Sequence, residues 1–305
     1  MTRHRHACAP AGRLRQQGMA VIGALVVVAL ASVAAASIVE RQSLLAETLA
    51  GERDRTQAKW LLRGGLDWAR VILQSDARNN RVTLKDAIWA QPIAGLEISP
   101  PGQDRKAYFS GQIEDEQGKY NLARLALEGA VQPEELAVLE RLMAALGMPA
   151  SLAAAVAQRV AEGQGGPSAQ QAPALRSTAD LLGVEGMTLD MAATLAGYVA
   201  ILPQRTAVNV NTVSAEVLSA GIRGLDLARA RALTERRDRG QWFNSRADFI
   251  NRLGDAELEP AYPVAVSSDW FKVTGEVTLD HAAVGMRALL HRDGDRPPTI
   301  QWIEG

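Results

Sequence analysis

The chain has 305 residues, 47% hydrophobic and 5% aromatic, with 33 Lys+Arg against 34 Asp+Glu for a formal charge of −1. That length suits one elaborated domain or two ordinary ones with no need of disulfide staples, and the near-neutral balance argues against a general nucleic-acid binder. The single cysteine, Cys8, excludes an intramolecular disulfide framework and a multi-cysteine zinc site; with His4 and His6 in the extreme N-terminal tail, any histidine chemistry falls to His281 or His291.

The first segment is strongly polarised. Arg3, Arg5, Arg13 and Arg15 stand without an acid, and Gln16 to Val39 holds no ionisable side chain. Met19 to Val39 is Ala, Val, Leu and Ile broken only by Gly23, Ser32 and Ser37. As a helix it spans about 30 Å, the hydrocarbon thickness of a bilayer, and the arginines predict a cytoplasmic N-terminus. Three kinds of processing fit: a secretory signal cut at Ala34-Ala35-Ala36, an uncut anchor, or a pilin-like leader closed by Gly18 and cut before Met19. Downstream, Leu45, Leu49, Leu62, Leu66, Ala69 and Leu73 recur at helical spacing among charged residues, with no proline to Gln74. One continuous helix, apolar first and amphipathic afterwards, favours the third reading.

Pro92 to Lys106 reads as a loop, and Tyr108 to Ile113 as an alternating strand leading into a turn at Gly118. From Leu122 to Leu253 the periodicity is helical. Pro133 to Leu146 opens with a first-turn proline and the acids Glu134 and Glu135, and stops at Gly147; Ser151 to Val160 forms a second helix. Glu162 to Pro173 is a linker. Ser177 and Ser245, each three residues before an aspartate, mark two further helix starts. At the C-terminus, Phe271 to Leu279 alternates cleanly, followed by strands at Val284 to His291 and Thr299 to Ile303. The order predicts an α+β fold: a long N-terminal helix packed on an antiparallel sheet, with an all-helical domain inserted between its strands.

No Walker loop, Gly-x-Ser-x-Gly or His-Glu-x-x-His signature is present, so no enzyme is expected. His281 and His291 lack a paired carboxylate pattern and read as surface or structural. The adjacent acids Glu114, Asp115 and Glu116 make Asp115 and Glu116 weak candidates for a calcium ion, although acids at a turn are ordinarily solvated. Val208 to Thr212, Gly224-Leu225-Asp226 and Ala228 to Leu233 resemble a helix-hairpin-helix DNA-binding module. Asp226 stands where that hairpin needs a glycine beside a phosphate. Arg205 to Arg252 carries nine Arg against five acids, which keeps a membrane-anchored DNA-uptake protein as the alternative.

Gln17-Gly18-Met19-Ala20, Ile113 to Leu122, Leu202-Pro203 with Val208 to Thr212, Arg236 to Gly240 and Trp242-Phe243, in this order and spacing, resemble the K-type minor pseudopilins of the type II (general) secretion pathway, the GspK family. The resemblance covers nearly the whole chain. It implies cleavage after Gly18 by a prepilin peptidase, N-methylation of Met19, and a place at the pseudopilus tip with the I- and J-type minor pseudopilins and the major pseudopilin. It implies an inner-membrane, single-pass protein with a periplasmic domain, no cofactor and no nucleic-acid partner. The domains follow: 1–18 leader, 19–39 transmembrane segment, 40–121 first part of the pilin-like domain, 122–255 inserted helical domain, 256–305 second part. Gly23 is the fifth mature residue, where most pilin-like proteins have Glu; a subunit with none ahead of it has no amine for that Glu to neutralise. Family members can bind calcium through acidic loops near the insertion, but residues 163–176 here contain no acid. Removal of the four leader arginines would take the formal charge from −1 to −5 and remove Cys8, which suits an oxidising periplasm.

Overall fold

The computed structural model describes residues 16–99, 106–165, 172–255, 257–279 and 282–305. The leader to residue 15 with Cys8, His4 and His6, the loop residues 100–105, the linker residues 166–171 and His281 lie outside the described residues.

One helix, α1, runs Gln16–Asn79. Residues up to Gln57 form one unit and Ala58–Gly305 a second, compact one. In the first unit the apolar stretch is bare: Met19, Val21, Ile22, Leu25, Val27, Leu30 and Val33 are all exposed. In the second, Ala58, Leu62, Leu66, Ala69 and Leu73 form a buried stripe at spacings of three and four.

That stripe packs on a five-stranded antiparallel sheet. Its strands are β1 (Ile93–Glu97), β2 (Ala107–Asp115), then, after a long helical insertion, β9 (Trp270–Leu279), β10 (Ala282–His291) and β11 (Thr299–Glu304), in the order β1-β2-β9-β10-β11. Alternation along β9 puts Phe271, Val273, Val277 and Leu279 toward α1, and Thr274, Glu276 and Thr278 toward solvent. Arg292 fastens the end of α1 to the sheet through Asp76 (2.9 Å) and lies over the Phe271 ring. Gly111 and Gly275 sit opposite each other in β2 and β9, and the Phe109 ring fills the space above both and against Gly65 of α1.

β1 corrects the expectation of one loop from Pro92 to Lys106. A register shift between Ile93 and Leu96, with Gly95 at φ +59°, breaks the alternation of an edge strand that is exposed over most of its length. Its backbone still pairs with β2, but its side chains carry no two-residue apolar period.

Between β2 and β9 lie α2 (Pro133–Ala145), α3 (Ala150–Gln164), α4 (Leu189–Leu195), α5 (Ala215–Gly221), α6 (Leu227–Asp238) and α7 (Arg246–Leu253). Three two-residue ladders tie them: β3 (Tyr120–Asn121) with β6 (Val199–Ala200), β4 (Ala126–Leu127) with β5 (Ala130–Val131), and β7 (Val208–Asn209) with β8 (Val264–Ala265). The segment after Ser177 is a 3-10 turn, Thr178–Gly183, whose start is held by Asp180 accepting from the Arg176 and Ser177 amides. The helices enclose their own core, built on Tyr120, Leu125, Leu139, Leu142, Met143, Val156, Leu218, Phe243 and Phe249. The sheet core is separate, and a small patch of Ala200, Leu202, Trp270 and Leu289 lies between the two.

Candidate functional site

Gly18 and Met19 both lie within α1. Met19 is 76% exposed, and nothing lies within 4 Å of where a side chain at Gly23 would begin. Packing within the chain therefore does not dictate a glycine there. The two hydroxyls of the apolar stretch are satisfied by its own backbone, Ser32 Oγ donating to the Val28 carbonyl and Ser37 Oγ to that of Ala34, each at 2.8 Å. A helix that satisfies its own polar groups is what a hydrocarbon layer accepts. By length and composition α1 can cross a membrane.

Asp115 and Glu116 end up apart in role although adjacent in sequence. Asp115 is buried at the end of β2; its carboxylate accepts from the Gln117 amide (2.8 Å), Asn209 Nδ2 (3.0 Å), Thr212 Oγ1 (2.6 Å) and Ser268 Oγ (2.6 Å). Burial pushes this carboxyl above its ordinary range, against those hydrogen bonds. Glu116 turns the other way and pairs with Lys119 (2.7 Å) and Lys272 (3.4 Å), which also hold Glu114 at 3.0 and 2.8 Å. Both carboxylates are taken by protein donors, so the pair does not offer the open oxygen cage that calcium requires. Among the described residues no cluster of His, Cys, Asp or Glu has the arrangement of a metal site. His291 stacks on Trp270, ring centroids 4.4 Å apart.

The hairpin between α5 and α6 has Gly224 at φ +85°, as a tight turn needs. Its next helix start is already filled: Asp226 caps α6 by accepting from the Arg229 amide at 2.8 Å. A phosphate approaching those amides would meet a carboxylate instead. Asn211, part of the same motif, is buried and doubles as a backbone group, accepting from the Phe243 amide (2.8 Å) and donating to its carbonyl (2.9 Å). The motif is thus a packing unit of the helical core.

The sequence did not disclose a second buried cluster. Glu135 of α2 binds Arg124 and accepts from Tyr120 Oη (3.0 Å), and Arg205 closes on it at 3.3 Å. Burial and the Glu135 charge push the Tyr120 hydroxyl far above its ordinary value, so it stays protonated and donates to Glu135. Glu135 reads in the sequence as a first-turn acid, and only the fold brings Arg124 and Tyr120 to it.

A bare apolar helix continuous with a stripe packed on an antiparallel sheet defines the class: an α+β protein of pilin-like architecture with an apolar helix suited to membrane anchoring. Two family models, both described as type II secretion system (T2SS), protein K, match residues 118–204 and 208–268. The chain is 28% identical to type II secretion system protein K of Pseudomonas aeruginosa, over 93% of this chain and 91% of that one. It is 28% identical to the protein of the same name from Pectobacterium carotovorum, over 95% and 96%, and 29% identical to that of Klebsiella pneumoniae, over 92% and 94%. Its fold resembles a chain in the crystal structure of the GspK-GspI-GspJ complex from the enterotoxigenic Escherichia coli type 2 secretion system, with a TM-score of 0.62 at 19% identity, covering 83% of this chain and 97% of that one. Over nearly its whole length the chain is thus similar to the type II secretion system protein K family.

Proposed function

We propose that this chain is a minor pseudopilin of a type II secretion system, placed at the tip of the pseudopilus, where it helps initiate assembly and caps the filament for protein export across the outer membrane. The observation that carries the reading is α1 itself. Its exposed apolar part, Met19 to Val39, suits first a bilayer and then a filament core, while the same helix supplies the Leu62, Leu66 and Leu73 stripe that seats the folded domain. The role is mechanical rather than catalytic. Prepilin peptidase cuts after Gly18 and the new Met19 amine is methylated. The anchor crosses the inner membrane with its start in the cytoplasm and the folded domain in the periplasm. The partners are the I- and J-type minor pseudopilins below it, a reading supported by the fold shared with the GspK-GspI-GspJ complex. The missing carboxylate at Gly23 fits a subunit with none ahead of it, and the helical insertion obstructs addition beyond it.

The test is the mass of the mature N-terminus from cells carrying the peptidase. The reading requires a chain beginning at methylated Met19, and an unprocessed chain for Gly18→Ala. A mature start at Ser37, or a Met19 start that persists in Gly18→Ala, overturns the processing and with it the filament role.

A further inference from the structure

The helical insertion is tied to the sheet by two chain crossings, residues 115–120 on the way out and 264–270 on the way back, and by the small apolar patch at Trp270. Among the described residues, the contact between the two large cores also includes an exposed Lys85–Asp238 pair at 3.9 Å and a buried polar network. The Asp115 carboxylate collects donors from both crossings and from the insertion, namely the Gln117 amide, Ser268, and Asn209 with Thr212. Asn209 Nδ2 also lies 2.9 Å from Ser268 Oγ and 3.1 Å from the Thr83 carbonyl. Gln117 pins the crossings to each other: its Oε1 accepts from the Asp269 and Trp270 amides at 2.6 and 3.2 Å, and its Nε2 donates to the Ala207 carbonyl at 3.1 Å. Thr83 carries the network on, accepting from the Ser268 amide (3.0 Å) and Arg292 (2.9 Å), and Arg292 grips Asp76 near the end of α1.

We propose that Asp115, Asn209 and Gln117 form a latch that sets the orientation of the helical insertion on the sheet, and that opening it frees the insertion as a folded unit. Apolar contact is non-directional and tolerates sliding, whereas a buried carboxylate with four donors is satisfied in one arrangement only. The two large cores are separate side-chain clusters, so loss of the latch should leave each of them folded. The three side chains are positioning residues, and the inference stands on this geometry whether or not the chain caps a filament.

Hydrogen exchange of the full-length chain in detergent, read by mass spectrometry, tests it with Asp115→Asn, Asn209→Ala and Gln117→Ala, and with Leu139→Ala as a control in the helical core. The latch variants should exchange roughly tenfold faster or more over 115–120, 206–212 and 264–270, while α2, α3 and the centres of β9 and β10 keep their protection. The Asp115→Asn, Asn209→Ala pair should add little to either single change, because both act in one network. Leu139→Ala should instead accelerate α2 and α3. If the latch variants loosen α2 and α3 as much as the crossings, or leave the crossings unchanged, the latch is refuted; if Asp115→Asn does not accumulate, Gln117→Ala alone decides between these outcomes.

Discussion

Gly221 ends α5 directly against the ring of Tyr262, where a side chain would begin 1.9 Å from Tyr262 Cε1. The ring cannot retreat, because Tyr262 is buried and its hydroxyl donates to the Val217 carbonyl at 2.8 Å. Gly221→Ala should therefore destabilise the chain by about 3 kcal/mol, at the high end for overpacking, as a lowered urea midpoint would report. Glu135 makes the opposite point, since its value lies in what it satisfies. Its removal leaves the buried Arg124 guanidinium without its carboxylate and Tyr120 Oη without its side-chain acceptor. Glu135→Ala should cost about 3–5 kcal/mol in the same measurement, while Arg239→Ala, which breaks an exposed pair with Glu235, should cost under about 1 kcal/mol.

At the scale of elements, α1 up to Val39 works by exposure, so one charge in it should suffice to disturb insertion. Leu30→Arg is expected to weaken insertion by about 2.5–3.5 kcal/mol, seen as a shift of the chain from the membrane fraction after carbonate washing. The turn leaving β2 responds to acid. Burial would raise the Glu114 carboxyl, but Lys119 and Lys272 outweigh it and hold the group below its ordinary 4.5. A depressed folded-state value means that the stabilisation is present above pH 4.5 and is lost as pH falls through that folded value. Melting temperature should thus fall on acidification from neutrality to about pH 3, and fall less steeply in Glu114→Gln. The elements that were legible in the sequence share a physical cause. β9 faces a core on one side and water on the other, and α2 carries its proline, its first-turn acids and its stopping glycine within the chain itself. β1 was not legible, because the register shift and Gly95 erase its period, nor were the two-residue ladders, which are too short to have one. Asn209 and Asn211 stand out in the sequence as a motif among Val208, Val210 and Thr212, but their role depends on Asp115, Ser268 and Phe243, which only the fold brings beside them.

For the whole molecule, the proposed processing residues Gly18 and Met19 rest on the leader pattern alone, and nothing in the folded part bears on them. The buried clusters were legible only from the fold, because Asp115 and Ser268, or Arg124 and Arg205, are far apart along the chain. The two kinds of site divide the work. On the proposed reading, the apolar helix would serve the membrane and the filament, and the folded domain would meet the neighbouring subunits. A protein that closes a complex of minor pseudopilins must co-purify with them. The full-length chain, coexpressed with the I- and J-type minor pseudopilins of its own secretion system and extracted in detergent, should elute with both in one complex holding one copy of each. Elution of this chain alone, while the I- and J-type proteins remain together, would rule out the capping role.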